Sequence, residues 1–303
     1  MRRRAVRSGL IDQRDRATQR RRSRSESPQT EVSESFDAWL ESWSTGIPDI
    51  RRIDLERFLA ASSHFDLDAA ERLVRLAIHL ELAATSLLGL SGWESLRRVY
   101  ELARELSPAD AMLPVSMSYS ARWLGEGAPD EKRLLAISEN YAREAVRMAP
   151  DDGRGHYALG RALYDQGRVE PALEAFVRTL ELEPDPAMAA WTHLYKAHCL
   201  HDLERWNDAL SSYDAVDRSQ LTGPSAWRSD VLTEQRAYCL FKADQKEDAI
   251  ALLRRILDRY EAEPHLGYWA MSASFWHLIQ SAAPEHLGRA EHIDEHGRRA
   301  AIE

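Results

Sequence analysis

Three pairs of small residues, each pair separated by twelve positions, constrain this chain more than any other feature. Gly160 and Ala172 form the first pair, Ala197 and Ala209 the second, Ala237 and Ala249 the third. Three residues after each first member stands Leu163, Leu200 or Leu240, and four after each second member stands Phe176, Tyr213 or Leu253. Small residues on two neighbouring helices let their backbones approach closely, and a large apolar residue beside each fills the remaining space. The first copy also carries its own punctuation. Gly167 lies in the connection, where a residue free to take positive φ can end a helix. Pro184 cannot continue the second helix, because it lacks an N–H and clashes with the preceding turn. The three copies, 153–186, 190–223 and 230–263, therefore read as helix hairpins in register.

These residues resemble the tetratricopeptide repeat, which has a period of roughly 34 residues, a small residue in each helix and a terminal proline. Pro150 and Pro184 are 34 residues apart, whereas Gly160 to Ala197 is 37 and Ala197 to Ala237 is 40. Longer connections at 185–189 and 219–225 absorb the difference. The resemblance is clearest over 142–260. It implies an all-α fold, a right-handed α-solenoid of antiparallel helix hairpins, and a protein–protein interaction scaffold rather than an enzyme. In that family the first helix of each repeat lines a concave groove that takes a peptide segment. Carried onto this chain, the groove positions are Arg154, Tyr157, Arg161 and Tyr164, then Trp191, Leu194, His198 and His201, then Glu234, Tyr238, Phe241 and Lys242. Aromatic plates beside guanidinium groups suit a partner segment with acidic and apolar residues. Some members hold a chaperone's terminal carboxylate with a Lys/Asn clamp. Tyr157 and Arg161 stand where its first-repeat residues would be, so that activity is not expected.

Composition agrees with an all-α reading. Apolar residues make up 44% of the 303, and no alternating β-branched run is long enough to suggest a sheet. Net charge is −9, yet residues 1–24 hold ten arginines against Asp12 and Asp15, so the body is strongly acidic. An acidic body argues against nucleic-acid binding by the repeats themselves. Cys199 and Cys239 occupy equivalent positions in successive copies, about 9–10 Å apart if the helices stack. That is too far for a disulfide, so both are expected as reduced thiols, in keeping with a cytoplasmic location. The most apolar run, 73–90, is interrupted by Arg75, His79 and Glu81, so no membrane span is expected. Arginine exceeds lysine 36 to 4, a bias of GC-rich bacterial genomes.

Three regions are expected along the chain. Residues 1–35 read as a disordered basic tail, Arg- and Ser-rich with no aromatic to stack on bases. Residues 36–66 read as capping helices separated by a turn at 45–48, with Phe36, Trp39, Leu40 and Trp43 on one apolar face. Residues 67–303 read as the solenoid. Within it, hairpins are expected at 68–106, where Ala84, Leu87, Leu96 and Tyr100 repeat the spacing, at 109–149, and at 264–300 with a polar last helix facing water.

Motifs of catalysis are sparse. There is no phosphate-cradling glycine loop, no Gly-x-Ser-x-Gly elbow and no Cys-x-x-Cys pair. His292, Glu295 and His296 match the H-x-x-E-H spacing of some zinc peptidases. A catalytic zinc needs a third ligand and a pocket, so the pair reads as a surface feature. No cofactor and no metal are expected. Two other functions compete with the scaffold: homo-oligomerisation through the terminal hairpins or Trp39 and Trp43, and nucleic-acid association through the arginine tail.

Overall fold

The computed structural model describes residues 35–42, 50–83, 89–221, 228–263 and 271–300, with the side chains of 41–42, 82–83, 228 and 297–300 left aside. The basic tail, Trp43, the turn at 45–48, Ala84 and Leu87 lie outside the described residues. Among those residues the chain is helical without strands, and it divides into two compact units between Gly167 and Arg168.

The first unit holds α1 (Phe36–Ser42), α2 (Arg52–Ala61), α3 (Ala69–Ala83), α4 (Leu90–Leu106), α5 (Met112–Gly125), α6 (Glu131–Met148) and α7 (Gly153–Asp165). Helix α3 packs antiparallel to α4, and α5 to α6, with α7 laid against both α5 and α6. Helix α7 thus meets both helices of the hairpin before it, as a stacked hairpin does. The turn between α5 and α6 is tight. A Cβ on Gly125 would come within 2.9 Å of the Leu134 Cβ, so only glycine permits that approach. Helices α1 and α2 both lie on α3, where Phe36, Trp39, Phe58 and Phe65 form one ring cluster with centroids 5.1–6.2 Å apart.

The second unit holds α8 (Val169–Glu181), α9 (Pro186–Asp202), α10 (Trp206–Asp214), α11 (Arg228–Lys242), α12 (Lys246–Ala262), α13 (Ala273–Ala282) and α14 (Leu287–Ala300), with short 3₁₀ turns at Arg218–Gln220 and Pro284–His286. The small residues sit where close packing requires them: Ala172, Ala197, Ala209, Ala237 and Ala249 are all fully buried. Phe176, Tyr213, Leu253 and Leu200 pack beside them in the core. Both cysteines are buried free thiols, and burial pushes the Cys239 thiol up to about 12.

Hairpin turns share one backbone device. Gly167 takes φ +76°, and the residues at its register in the next copies, Glu204 and Asp244, take +58° and +64°. Behind each of the latter two, paired hydrogen bonds close the helix. Arg205 N–H donates to Leu200 C=O at 2.8 Å and Glu204 N–H to His201 C=O at 3.0 Å. Gln245 and Asp244 repeat the arrangement onto Leu240 and Phe241. These are Schellman closures, which satisfy carbonyls that a helix end would otherwise leave unpaired. Starts are capped too: Asp185 accepts from Met188 N–H with Pro186 at the first helical position of α9, and Ser272 accepts from Phe275 N–H at the start of α13.

Candidate functional site: a ring-lined face of the second unit

Helix α9 places residues 191, 194, 195, 198 and 201 on one side, at the spacing of successive turns. Trp191 stacks on Tyr195 with centroids 6.4 Å apart, Tyr195 stacks on Phe176 at 5.9 Å, and His198 stands edge-on to Tyr195 at 5.5 Å. The row then crosses helices. His201 lies 5.5 Å from Trp206 of α10 and 5.4 Å from Tyr238 of α11, and Tyr238 meets His277 of α13 at 5.8 Å. Lys242, exposed at the end of α11, holds its ammonium 5.3 Å above the Trp206 ring. Aromatic and imidazole rings from four helices thereby line one face in two runs, the first built over the buried Tyr195 and the second with a cation at its edge.

The electrostatics of the strip are set by burial. His201 Nδ1 lies 3.4 Å from Asp202 Oδ1, while its buried Nε2 has no hydrogen-bond partner among the described residues. His193, on the same helix, is held below the usual imidazole range by burial and then by Lys196. Tyr238 is pushed up by burial, with Glu204 adding to the effect.

Of the twelve residues expected to line a groove, four lie in the first unit and eight in the second. In the first unit Arg154 is exposed and bound bidentately to Asp152, its nearer contact 2.6 Å. Arg161 donates to Tyr157 Oη at 3.4 Å, and Tyr164 is half-buried. In the second unit Trp191, His198, His201, Tyr238, Phe241 and Lys242 present surface.

Two of the expected groove residues are corrected. Leu194 is 1% exposed and Glu234 is 0% exposed, so neither side chain can touch a ligand. Tyr157 is nearly as enclosed, at 8%. All three stand three residues before the small residue of their helix, which turns them toward the hairpin partner. Glu234 is instead an interior tie: Tyr260 Oη donates to its Oε1 at 2.8 Å and Ser272 N–H to its Oε2 at 2.8 Å. Desolvation raises its carboxyl to about 8 against those two hydrogen bonds.

Tyr195, Trp206 and His277 belong to the strip and were not singled out from sequence. Trp206 opens a second helix, which the repeat grammar assigns to the other side of the hairpin; its indole reaches across the turn. The His292 and His296 rings lie 4.1 Å apart, and among the described residues no group of three or more His, Cys, Asp or Glu is placed to hold a metal ion.

Stacked hairpins of this kind define a helical-repeat protein. Comparison with known proteins identifies the family. Residues 131–189 and 157–226 match one tetratricopeptide repeat model and residues 235–261 a second, so these segments are tetratricopeptide repeats. It is 32% identical over 99 residues to the Small glutamine-rich tetratricopeptide repeat-containing protein 2 of Saccharomyces cerevisiae, a match spanning 32% of this chain and 28% of that protein. Among solved structures it is similar to the apo form of RapI, at 16% identity and a TM-score of 0.49 over 77% of this chain and 98% of that one. It is also similar to YrrB, described as a TPR protein with an unusual peptide-binding site, at 14% identity and a TM-score of 0.47 over 65% and 92%. Repeats of this family are typically non-catalytic and bind protein or peptide partners.

Proposed function

We propose that the chain is a non-catalytic adaptor of the cytoplasm, docking a protein segment along the ring-lined face of its second unit. The observation that supports this reading is the pair of ring runs on one face, Trp191 to His198 over the buried Tyr195 and Trp206 through His201 and Tyr238 to His277, whose positions are fixed by the helices beneath them. Rings already held in place need little ordering on binding, so their contact area is not offset by a large entropy cost. The partner segment carries apolar side chains for the ring faces and carboxylates for Lys242 and for the imidazole edges. Two buried thiols suit a reducing compartment.

Peptides selected from a random display library against the full chain test the proposal. His277→Ala with Lys242→Glu is expected to weaken the selected peptides by about tenfold or more, with helical circular dichroism unchanged. Arg161→Glu with Tyr164→Ala, in the first unit, serves as the contrasting variant. Affinity lost only in the latter variant places docking on the first unit and rejects the strip.

A further inference from the structure

A second feature of the same unit lies away from the ring strip. A cavity of about 330 Å³ opens between the Arg218 turn, α11 and α12, lined by Arg218, Arg255 and Arg259 with a single carboxylate, Asp230. Leu252, Ile256 and Tyr260 form its apolar part. In a chain whose net charge is −9, three guanidinium groups around one carboxylate are an uncompensated concentration of positive charge.

The pairing within the cavity leaves donors open. Arg259 Nε holds Asp230 Oδ1 at 2.9 Å. Arg218 spends one amino group on the Thr233 hydroxyl, at 3.1 Å, and makes no ion pair among the described residues. Its would-be counter-ion, Asp214, is engaged 2.7 Å away by Arg236. Arg255 has no hydrogen bond or ion pair among the described residues, and the same holds for the Ser229 hydroxyl. Desolvation and then the neighbouring Arg236 lower Arg218 from the usual guanidinium range, with Asp214 and Asp230 acting the other way without making an ion pair to it.

We propose that this cavity binds a phosphate monoester, its dianion taken by Arg218 and Arg255 and its organic stem by the apolar part. A dianion matches the excess of two positive charges left after Asp230 is paired. Guanidinium forks hold phosphate oxygens bidentately, and the Ser229 hydroxyl supplies a further donor. The volume accommodates a phosphate with a short stem, at the small end of ligand pockets. A phosphorylated side chain of a partner and a free small phosphate ester share this chemistry, and the assay separates them. The proposal is independent of docking on the ring strip, since no residue is shared.

Isothermal titration of the full chain with phenyl phosphate, inorganic phosphate, benzoate and a phosphoserine peptide with its unphosphorylated counterpart reads the site directly. Phenyl phosphate is expected to bind more tightly than inorganic phosphate or benzoate. Arg218→Gln with Arg255→Gln, both exposed and outside the core, is expected to weaken it by about tenfold or more. Asp230→Asn is expected to tighten it, because a like charge leaves the cavity. A phosphopeptide tighter than phenyl phosphate identifies a protein-borne group as the ligand, and an equal or weaker one a small ester. Benzoate equal to phenyl phosphate, no heat from any phosphate at about 10 mM, or affinity unchanged in the double arginine variant overturns the proposal.

Discussion

In the first unit the largely buried carboxyl of Glu81 is held by a side chain alone. Ser120 Oγ donates to its Oε2 at 2.7 Å, and the Tyr100 hydroxyl backs Ser120 at 2.9 Å. In the second unit Glu234 is held by a tyrosine hydroxyl and by the backbone N–H of Ser272, the residue that caps α13. Burial raises both acids, yet the consequences differ. Removing Glu81 leaves Ser120 and Tyr100 to pair with each other. Removing Glu234 orphans a buried hydroxyl and a backbone donor together, and unties α13 from α11. Both carboxyls tie helices of successive hairpins, Glu81 of α3 to Ser120 of α5 and Glu234 of α11 to the cap of α13, but only the second tie satisfies a backbone donor.

Truncating each acid puts that comparison at risk. Glu234→Ala is expected to cost about 3 kcal/mol and Glu81→Ala about 1–2 kcal/mol, because unsatisfied buried donors carry the full desolvation cost. Thermal or urea melts by circular dichroism measure both. Equal losses from the two variants would mean that the backbone donor of Ser272 adds nothing to the tie.

The next effect in size is a pH dependence. Glu234 titrates near 8 in the fold against an ordinary 4.5, so between those values the folded chain holds a proton that the unfolded chain has released. Stability contributed by the neutral acid is therefore complete below about pH 4.5, falls as pH rises toward 8 and is level above it. The charged group acting on it is Asp230, which raises its value further and is itself paired with Arg259. Melting temperature is expected to drop across pH 5–8. Glu234→Gln, which keeps an acceptor for Ser272 and a group for Tyr260, is expected to flatten this portion of the profile. A wild-type slope surviving in Glu234→Gln assigns it to other groups.

The same residue marks the limit of what could be read from sequence. Hairpin pairing was legible because it rests on side-chain size at fixed spacing, and Ala172, Ala197, Ala209, Ala237 and Ala249 are buried as that argument requires. Which first-helix positions face outward was only partly legible. Tyr157, Leu194 and Glu234 share a register, and the apolar Leu194 was a signal that this register points inward. Glu234 concealed it, since an ionisable residue reads as surface until its partners are known, and Tyr260 and Ser272 lie 26 and 38 positions downstream. The ring strip was half legible: Trp191, His198, His201 and Tyr238 follow from helical spacing. Trp206 and His277 join through tertiary contact, which no periodicity within one helix encodes. The division of the chain at Gly167, inside the first clear copy, had no sequence signal, because the repeat grammar runs through it unbroken.

Turn chemistry gives the smallest and most local comparison. Gly167 takes positive φ freely, whereas Glu204 and Asp244 take it at a steric cost that the Schellman hydrogen bonds behind them offset. A non-glycine residue in the left-handed region costs about 1–2 kcal/mol. Glycine there gives back part of that gain as unfolded-state entropy, about 0.4–1 kcal/mol. Glu204→Gly is therefore expected to stabilise the second unit by about 0.5–1 kcal/mol. Asp244→Gly is expected to gain less, since a short polar side chain tolerates this region better. Urea melts of the two variants resolve the order. Destabilisation by Glu204→Gly would mean that its side chain contributes more to the turn than its backbone strain costs, and the register shared with Gly167 would then reflect sequence history rather than conformational need.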